Sequence, residues 1–454
     1  VALCSRNQAN WAVAFLATMT YGAVPVPLLH EFKSANIHHL VNHSEAKILF
    51  VDDVIWEGLS ESEMPDLHAI IQVNTFKLLY AKDDNIVEAR EHLNELFGRK
   101  FPMSFTPDAL NYYEDSADEL AVINYTSGTS GFSKGVMIPY RAILSNIAFA
   151  HKVLPMLGNT SKVVSMLPSA HMYGLMFEVL YELSVGCHVH FLSRVPSPKI
   201  IMQALADVKP NVVIAVPLVI EKIYKTKVKP ILEKAGIKFA MKVPGLDQVI
   251  LNKVRTELMN AFGGEFYEVI VGGAAFNKEV EAFFKRMNFP ITVGYGMTEC
   301  APIITYDDWK EEKLYSCGKV APNMEIKIDS EDPHNISGEI LVKGDNDMIT
   351  QVIYNLLENA AKFARAGSDL YLSVALVDGK ARVTVQNLGE TIPAEELPLL
   401  FERFHKSDKS RSEDKDGVGL GLYIVKTILE QHREKIHVTS EDGVTTFSFA
   451  LAAE

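Results

Sequence analysis

Cysteine is scarce: Cys4, Cys187, Cys300 and Cys317 are the only four in 454 residues, and they stand far apart. That spacing supplies neither the paired ligands of a structural zinc site nor a disulfide framework, so a reduced, cytoplasmic protein is the expectation. No apolar run approaches the roughly 18–20 residues of a membrane-spanning helix, and no signal-peptide pattern opens the chain. Positive charge is short as well. Lys and Arg number 44 against 57 Asp and Glu, a net charge of −13, which argues against a nucleic-acid partner gripped by a basic surface. The deficit does not exclude anionic small molecules, because glycine loops and Mg²⁺ offset a global field locally. Internal repeats and low-complexity linkers are missing, although the length allows about two to four domains. The chain opens at Val1 without methionine and runs at once into a structured pattern, so a processed or truncated start is expected.

What is present is an ordinary globular composition, 48% apolar and 22% charged, organised in two textures. Up to about residue 344, short runs rich in branched residues (Ile48–Val51, Leu120–Tyr125, Val163–Leu167, Val212–Val216, Val269–Val271, Ile291–Val293) alternate with helix-length segments such as Ala142–Val153 and Val280–Met287. The alternation predicts an α/β architecture with largely parallel sheets. Met324–Asp329 and Gly338–Lys343 read as strands of a small terminal sheet. After Asp345 the pattern changes. Met348–Arg365 carries Val352, Leu356, Leu357, Ala360 and Phe363 at helical spacing. A hairpin follows, Leu370–Val377 and Lys380–Val385 around Asp378–Gly379. A short helix near Ala394–Leu400, a charged loop, a helix over Leu420–Gln431 and two closing strands complete an α+β sandwich. The expected domains are 1–344 and 345–454.

The most informative stretch is Tyr125-Thr-Ser-Gly-Thr-Ser-Gly-Phe-Ser-Lys-Gly135, after the strand that ends near Asn124. Gly128, Gly131 and Gly135 let the backbone turn its N–H groups toward an anion. Thr126, Ser127, Thr129 and Ser130 add hydroxyl donors, and Lys134 adds charge. Such a loop can hold the β- and γ-phosphates of ATP with Mg²⁺ while pyrophosphate departs. It is not a GxxxxGK[ST] loop. A flexible Gly/Ser linker is the bland alternative, but linkers seldom separate a buried strand from a helix-forming segment.

The loop resembles the signature of the adenylate-forming superfamily, which includes acyl-CoA synthetases, peptide-synthetase adenylation domains and luciferase. Ser130 stands for a usual threonine and Ser133 for a usual proline. Further motifs follow in the family's order. Leu167-Pro-Ser-Ala-His171-Met-Tyr-Gly174 resembles the segment whose histidine lies beside the acyl pocket; alone, His171 reads equally as a packed histidine. Val271-Gly272-Gly273-Ala274-Ala275 would let adenine lie against the backbone. Gly294-Tyr295-Gly296-Met-Thr298-Glu299 implies Tyr295 stacked on adenine, Thr298 at phosphate and Glu299 on Mg²⁺; a solvated turn is its plain alternative. The resemblance, to bacterial long-chain fatty acid–CoA ligases above all, covers residues 1 to about 346. It implies an adenylate-forming large domain, truncated, with Thr126, Lys134, His171, Thr298 and Glu299 catalytic and ATP, a fatty acid and CoA as substrates. The family's ribose aspartate, hinge and lysine-bearing C-terminal domain do not follow Gly344, so a complete turnover cycle is not expected of this chain.

From Asp345 the chain resembles the catalytic ATP-binding domain of sensor histidine kinases, of the gyrase and Hsp90 class. Gln351-Val-Ile-Tyr-Asn355-Leu-Leu-Glu-Asn359-Ala-Ala-Lys362-Phe363 matches its asparagine box, implying Asn359 on Mg²⁺ and Lys362 at phosphate, with Asn355 on the same helical face. Val385-Gln-Asn387-Leu-Gly389-Glu-Thr-Ile-Pro393 matches the first glycine box, with Asn387 for a usual aspartate and Thr391 for a usual glycine. Phe401-Glu-Arg-Phe404 and Asp416-Gly417-Val-Gly419-Leu-Gly421-Leu match two more, the glycines wrapping the triphosphate at a helix N-terminus. The charged stretch between Phe401 and Leu420, with five acidic and five basic residues, reads as a solvated lid. His405 reads as a surface histidine, because the histidine-bearing dimerisation helices are missing. The implied partner is a response regulator. Two readings stand side by side: a ligase, or a fragment of a two-component signalling kinase. A third concerns origin, a chimera joined near residue 345.

Overall fold

Short branched runs become strands wherever a helix can carry the chain back parallel to its start. In the computed structural model all residues are described except 103–104, 107–108, 128–132, 194–195, 323, 334–335, 337, 344–346, 366, 378, 402–420, 432–433 and 453–454. Ile48–Val51 lies at the centre of a five-stranded sheet ordered Val26–Pro27, Ala2–Cys4, Ile48–Val51, Ala69–Gln72, Leu78–Ala81. Its pairs are parallel except the last, which is antiparallel. The crossover helices are Ala9–Thr20 and Ser34–His43. Trp11 and Phe15, one helical turn apart, stack at 5.2 Å inside the core.

A second parallel sheet joins Val213–Ala215, Val269–Val271 and Ile291–Val293. Every residue of these strands is buried, as expected where both faces are covered. Phe262 and Phe284 each pack on Phe289 in its core, with ring centroids 5.7 and 5.2 Å apart. Lys162–Ser165 and His188–Phe191 form a further parallel pair. The expected strands at the end of this region, Glu325–Asp329 and Glu339–Lys343, pair with each other.

One strand differs from expectation. Leu120–Ser127 does not lead from its loop straight to a helix; it pairs antiparallel with Ser133–Pro139, and the helix Tyr140–Val153 begins only afterwards. Its short apolar run, Val136–Ile138, sits between Gly135 and Pro139, residues that mark turns.

The chain divides into two compact units, Val1–Val342 and Lys343–Glu454. In the second, the helix Asp347–Phe363 buries Val352, Leu356 and Ala360, spaced four apart, against the helix Gly421–Gln431 and an antiparallel sheet. The sheet order is Leu370–Val377, Lys380–Leu388, Val444–Ala452, His437–Glu441. Val383, Val385, Phe447 and Phe449 alternate into the core. Two expectations shift here. Phe363, placed on the apolar face from its spacing, is 48% exposed at the helix end. The helix expected near Ala394–Leu400 is a 3₁₀ turn, Leu397–Phe401; Pro398 lacks the N–H that a longer helix needs. Among the described residues no helix is long and apolar enough to cross a membrane.

Candidate functional site

In the first unit, segments singled out from distant positions meet at one cavity of about 140 Å³. His171, Tyr173, Gly272, Gly273, Tyr295, Gly296 and Thr298 line it, and the helix Tyr140–Val153 closes one wall with Phe149, Ala150 and Val153. Leu154, Phe177, Ile214, Ile270, Pro302, Ile303 and Tyr306 complete an apolar interior. Ala274, Thr126, Lys134 and Glu299 are not among the lining residues.

Each lining group is fixed by its own element. His171 caps the N-terminus of the Met172–Leu175 helical turn, its Nδ1 accepting from the Tyr173 N–H at 3.2 Å. The neutral ring therefore carries its proton on Nε2. Loss of water around the ring holds the His171 pKa below the ordinary histidine value, although the ring stays accessible. Tyr173 donates to the Ile270 carbonyl at 3.0 Å and packs across Gly272, tying the histidine segment to the glycine segment. Gly296 admits no side chain: a Cβ would stand 2.2 Å from the Pro302 carbonyl oxygen. Tyr295 and Gly296 pair with Ile303–Tyr306, and Thr298–Cys300 forms a 3₁₀ turn directly after them.

Two buried carboxyls hold this region from behind. Glu312 accepts from the Val293 N–H at 2.8 Å, just before the Gly294–Glu299 motif, with Lys285 Nζ 3.7 Å away. Glu268 accepts from the cavity-lining Tyr306 hydroxyl and from the Trp309 N–H. Burial is the largest cause pushing both up to about 7.

The described residues of the candidate phosphate loop lie on the hairpin. Thr126 and Lys134 are direct cross-strand partners, so they share one face. Lys134 is exposed and Thr126 half-buried. Gly128, Thr129, Ser130 and Gly131 lie outside the described residues, as does the Ser127 side chain. The Ser133–Pro139 strand packs on the Thr298–Cys300 turn, which brings the Lys134 strand beside the exposed Glu299. Among the described residues no group of three or more His, Cys, Asp or Glu could hold a metal ion. A single exposed carboxylate fits Mg²⁺ arriving on a triphosphate, which takes one or two carboxylates plus phosphate oxygens.

In the second unit, Asn355 is buried and Asn359 half-buried on one face of the Asp347–Phe363 helix. Asn359 Nδ2 donates to the Asn355 carbonyl at 2.9 Å, leaving Oδ1 as the acceptor for a cation. Lys362 is exposed, with Nζ 5.8 Å from the Phe363 ring centroid. Asn387 is buried on the neighbouring strand. Gly389 forms a bridge with Ala364, and a Cβ there would meet the Phe363 carbonyl oxygen at 2.3 Å. Thr391, unusual for the pattern, has a local partner: its Oγ1 accepts from the Gly443 N–H at 2.8 Å. Gly421 opens the helix Gly421–Gln431. Gly417, Gly419, His405 and the charged stretch lie outside the described residues, as does Asp345.

Sequence reasoning missed the apolar wall and the buried polar residues behind it. Phe149, Phe177 and Tyr306 look like ordinary core residues. Glu178 had a visible signal, one charge inside the otherwise apolar run Met172–Leu180.

Comparison with known proteins finds relatives of both units. Residues 344–454 match the family model for histidine kinase-, DNA gyrase B- and HSP90-like ATPases. The sensor histidine kinase CusS of Escherichia coli O6:H1 is 38% identical over 118 residues, 26% of this chain and 25% of that protein. The human long-chain-fatty-acid–CoA ligase ACSBG2 is 25% identical over 372 residues, 76% of this chain and 54% of the ligase. Long chain acyl-CoA synthetase 8 of Arabidopsis thaliana is 25% identical over 427 residues, 81% of this chain and 57% of the synthetase. The chain thus spans about half the length of these ligase relatives. Apo MatB from Rhodopseudomonas palustris shares the fold at TM-score 0.55 and 18% identity, over 76% of this chain and 59% of that one. So does the o-succinylbenzoate CoA synthetase MenE from Bacillus subtilis in complex with its acyl-adenylate, at 0.54 and 18%, with the same coverage. Residues 1–350 match the family model described as AMP-binding enzyme, and the chain belongs to that family.

Proposed function

We propose that the first unit activates a carboxylic acid, a long-chain fatty acid by the names of its relatives, to an acyl-adenylate for transfer to CoA. The observation that carries this reading is the convergence of His171, Gly272–Gly273 and Tyr295–Thr298 on one apolar-walled cavity. A carboxylate oxygen attacks the α-phosphorus of ATP, the bond to the β-phosphate breaks, and pyrophosphate leaves. In the complete reaction the cysteamine thiol of CoA then displaces AMP from the acyl carbon, a step beyond the half-reaction proposed for this chain. Lys134 and Thr126 meet the departing phosphates, together with the loop through Ser127, Gly128, Thr129, Ser130 and Gly131. Tyr295 and the Gly272–Ala274 backbone hold adenine. Thr298 donates to phosphate, and Glu299 holds Mg²⁺, which offsets the charge on the leaving group. His171 presents its Nε2–H to the carboxylate. A cavity near 150 Å³ holds about one benzene ring, so a long tail enters by displacing Phe149 and Phe177, which line the wall.

The test is the nucleotide product after incubation with ATP, Mg²⁺ and a long-chain fatty acid. AMP that requires the acid supports the reading. ADP without acid favours the second reading, a signalling fragment that binds ATP at Asn355, Asn359, Lys362, Asn387 and Gly389 and serves a response regulator. The match to the ATPase family over residues 344–454 supports that alternative. The two family matches overlap at 344–350, and we read their union as a fusion of unrelated chains; one uninterrupted natural gene across codon 345 contradicts this.

A further inference from the structure

The His171 segment is an irregular stretch between the Lys162–Ser165 strand and the Met172–Leu175 turn, yet four of its backbone groups are bonded to side chains from three other segments. Leu167 N–H donates to Glu178 Oε2 at 2.9 Å, and the Leu167 carbonyl accepts from Asn7 Nδ2. Ser169 N–H donates to Asn7 Oδ1 at 2.9 Å, and the Ala170 carbonyl accepts from Asn124 Nδ2 at 2.9 Å. Asn7 is 7% exposed, Asn124 2% and Glu178 0%. Polar side chains are seldom buried so deeply unless they satisfy something. Here they satisfy the loop that ends at His171. Glu178 sits on a π-helical turn, Met176–Leu180, a distortion that recurs at functional sites.

We propose that Asn7, Asn124 and Glu178 are positioning residues for His171, bracketing residues 167–170 so that the imidazole stands at a fixed place on the cavity wall. The proposal rests on the carboxylate-activating reading of that cavity for its catalytic consequence, but its structural content stands alone. None of the three lines the cavity, so each acts through the loop. Burial drives the Glu178 carboxyl well above the ordinary range, toward the neutral acid, which makes glutamine its close mimic.

The experiment uses the full chain carrying Glu178→Met, Glu178→Gln, Asn7→Leu or Asn124→Leu, each alone and combined with His171→Ala. Two readouts are taken, the imidazole ¹⁵N shifts of His171 and the kinetics of fatty-acid-dependent AMP formation. The expected result for Glu178→Met is a His171 signal that leaves the Nε2–H form for a mixture of tautomers. Its kcat should fall about 10–100-fold, the effect of misplacing a reacting group by about an ångström, with KM for ATP unchanged. Glu178→Gln restores both within about twofold. In the His171→Ala background, Glu178→Met costs less than about twofold further, because the two act as one unit. Equal losses in both backgrounds, or unmoved ¹⁵N shifts in folded variants, overturn the proposal. If Glu178→Met does not fold, the asparagine variants decide by the same readouts from separate elements. Should the unaltered chain form no AMP, the functional reading falls while the ¹⁵N shifts still decide this inference.

Discussion

In the Val1–Val342 unit, cavity residues are brought together by side-chain bonds that reach across as many as 162 positions, from Asn7 to Ser169. In the Lys343–Glu454 unit, Asn355, Asn359 and Lys362 ride on one helix and Asn387 on the strand Lys380–Leu388, and the Ala364–Gly389 bridge links the ends of the two elements. The first unit belongs to the AMP-binding family and the second matches an ATPase family model, yet the two place their motif residues differently. A site built on one helix inherits its geometry from backbone periodicity. A site built from loop ends needs buried polar partners to fix each loop, and those partners can lie anywhere in the chain. The loop-end design of the Val1–Val342 unit is therefore sensitive to substitutions that never touch a ligand.

The comparison can be broken at several points. The largest expected effect is at the hairpin: Lys134→Ala lowers fatty-acid-dependent AMP formation by about 10²–10³-fold, the usual loss for a group that stabilises developing charge. A decrease of less than about fivefold would remove Lys134 from the phosphate site.

Next come the two crowded glycines. Gly296→Ala and Gly389→Ala each place a methyl group against a carbonyl oxygen and should each cost about 1–3 kcal/mol by overpacking. Their reporters differ, because all three tryptophans, Trp11, Trp56 and Trp309, precede residue 343. In urea unfolding, Gly296→Ala should move the tryptophan-fluorescence transition. Gly389→Ala should move the far-ultraviolet circular dichroism while leaving the fluorescence transition in place. A shared shift in both signals for Gly389→Ala would show that the two units unfold together.

The smallest effect concerns acidity. Burial pushes Glu182 up to about 8, and Glu268 and Glu312 up to about 7, from an ordinary value of 4.5. The folded chain holds these protons more tightly than the unfolded chain. Their stabilisation is therefore whole below about pH 4.5, is lost as pH rises through 7 to 8, and is level above. Both Glu182 carboxyl oxygens are buried without a hydrogen-bond partner among the described residues. Glu182→Gln removes one such titration, so the fall in Tm between pH 5 and 9 should shrink by roughly 2–4 °C. An unchanged slope would mean that Glu182 is not protonated in the folded state.

Much of this was legible beforehand, for physical reasons. Ile48–Val51, Val269–Val271 and Ile291–Val293 emerge as strands because buried parallel strands are written as unbroken branched runs. The spacing of Val352, Leu356 and Ala360 identified the buried face of a helix. His171, Gly272 and Tyr295 were picked out one motif at a time, and their meeting at one cavity is a tertiary fact that no local pattern carries. Ser133–Pro139 escaped because its short apolar run, Val136–Ile138, sits between Gly135 and Pro139, residues that mark turns. Asn7 and Asn124 escaped because a buried asparagine looks like any other until its partner 46 or 160 positions away is known.

The most direct test of the central claim is exchange of labelled pyrophosphate into ATP, which reports reversible adenylate formation without requiring CoA transfer. Exchange that depends on both Mg²⁺ and a long-chain fatty acid, and that disappears in Lys134→Ala, is the predicted result. Exchange without the acid, or none with any carboxylic acid offered, would contradict the assignment of carboxylate activation to this unit.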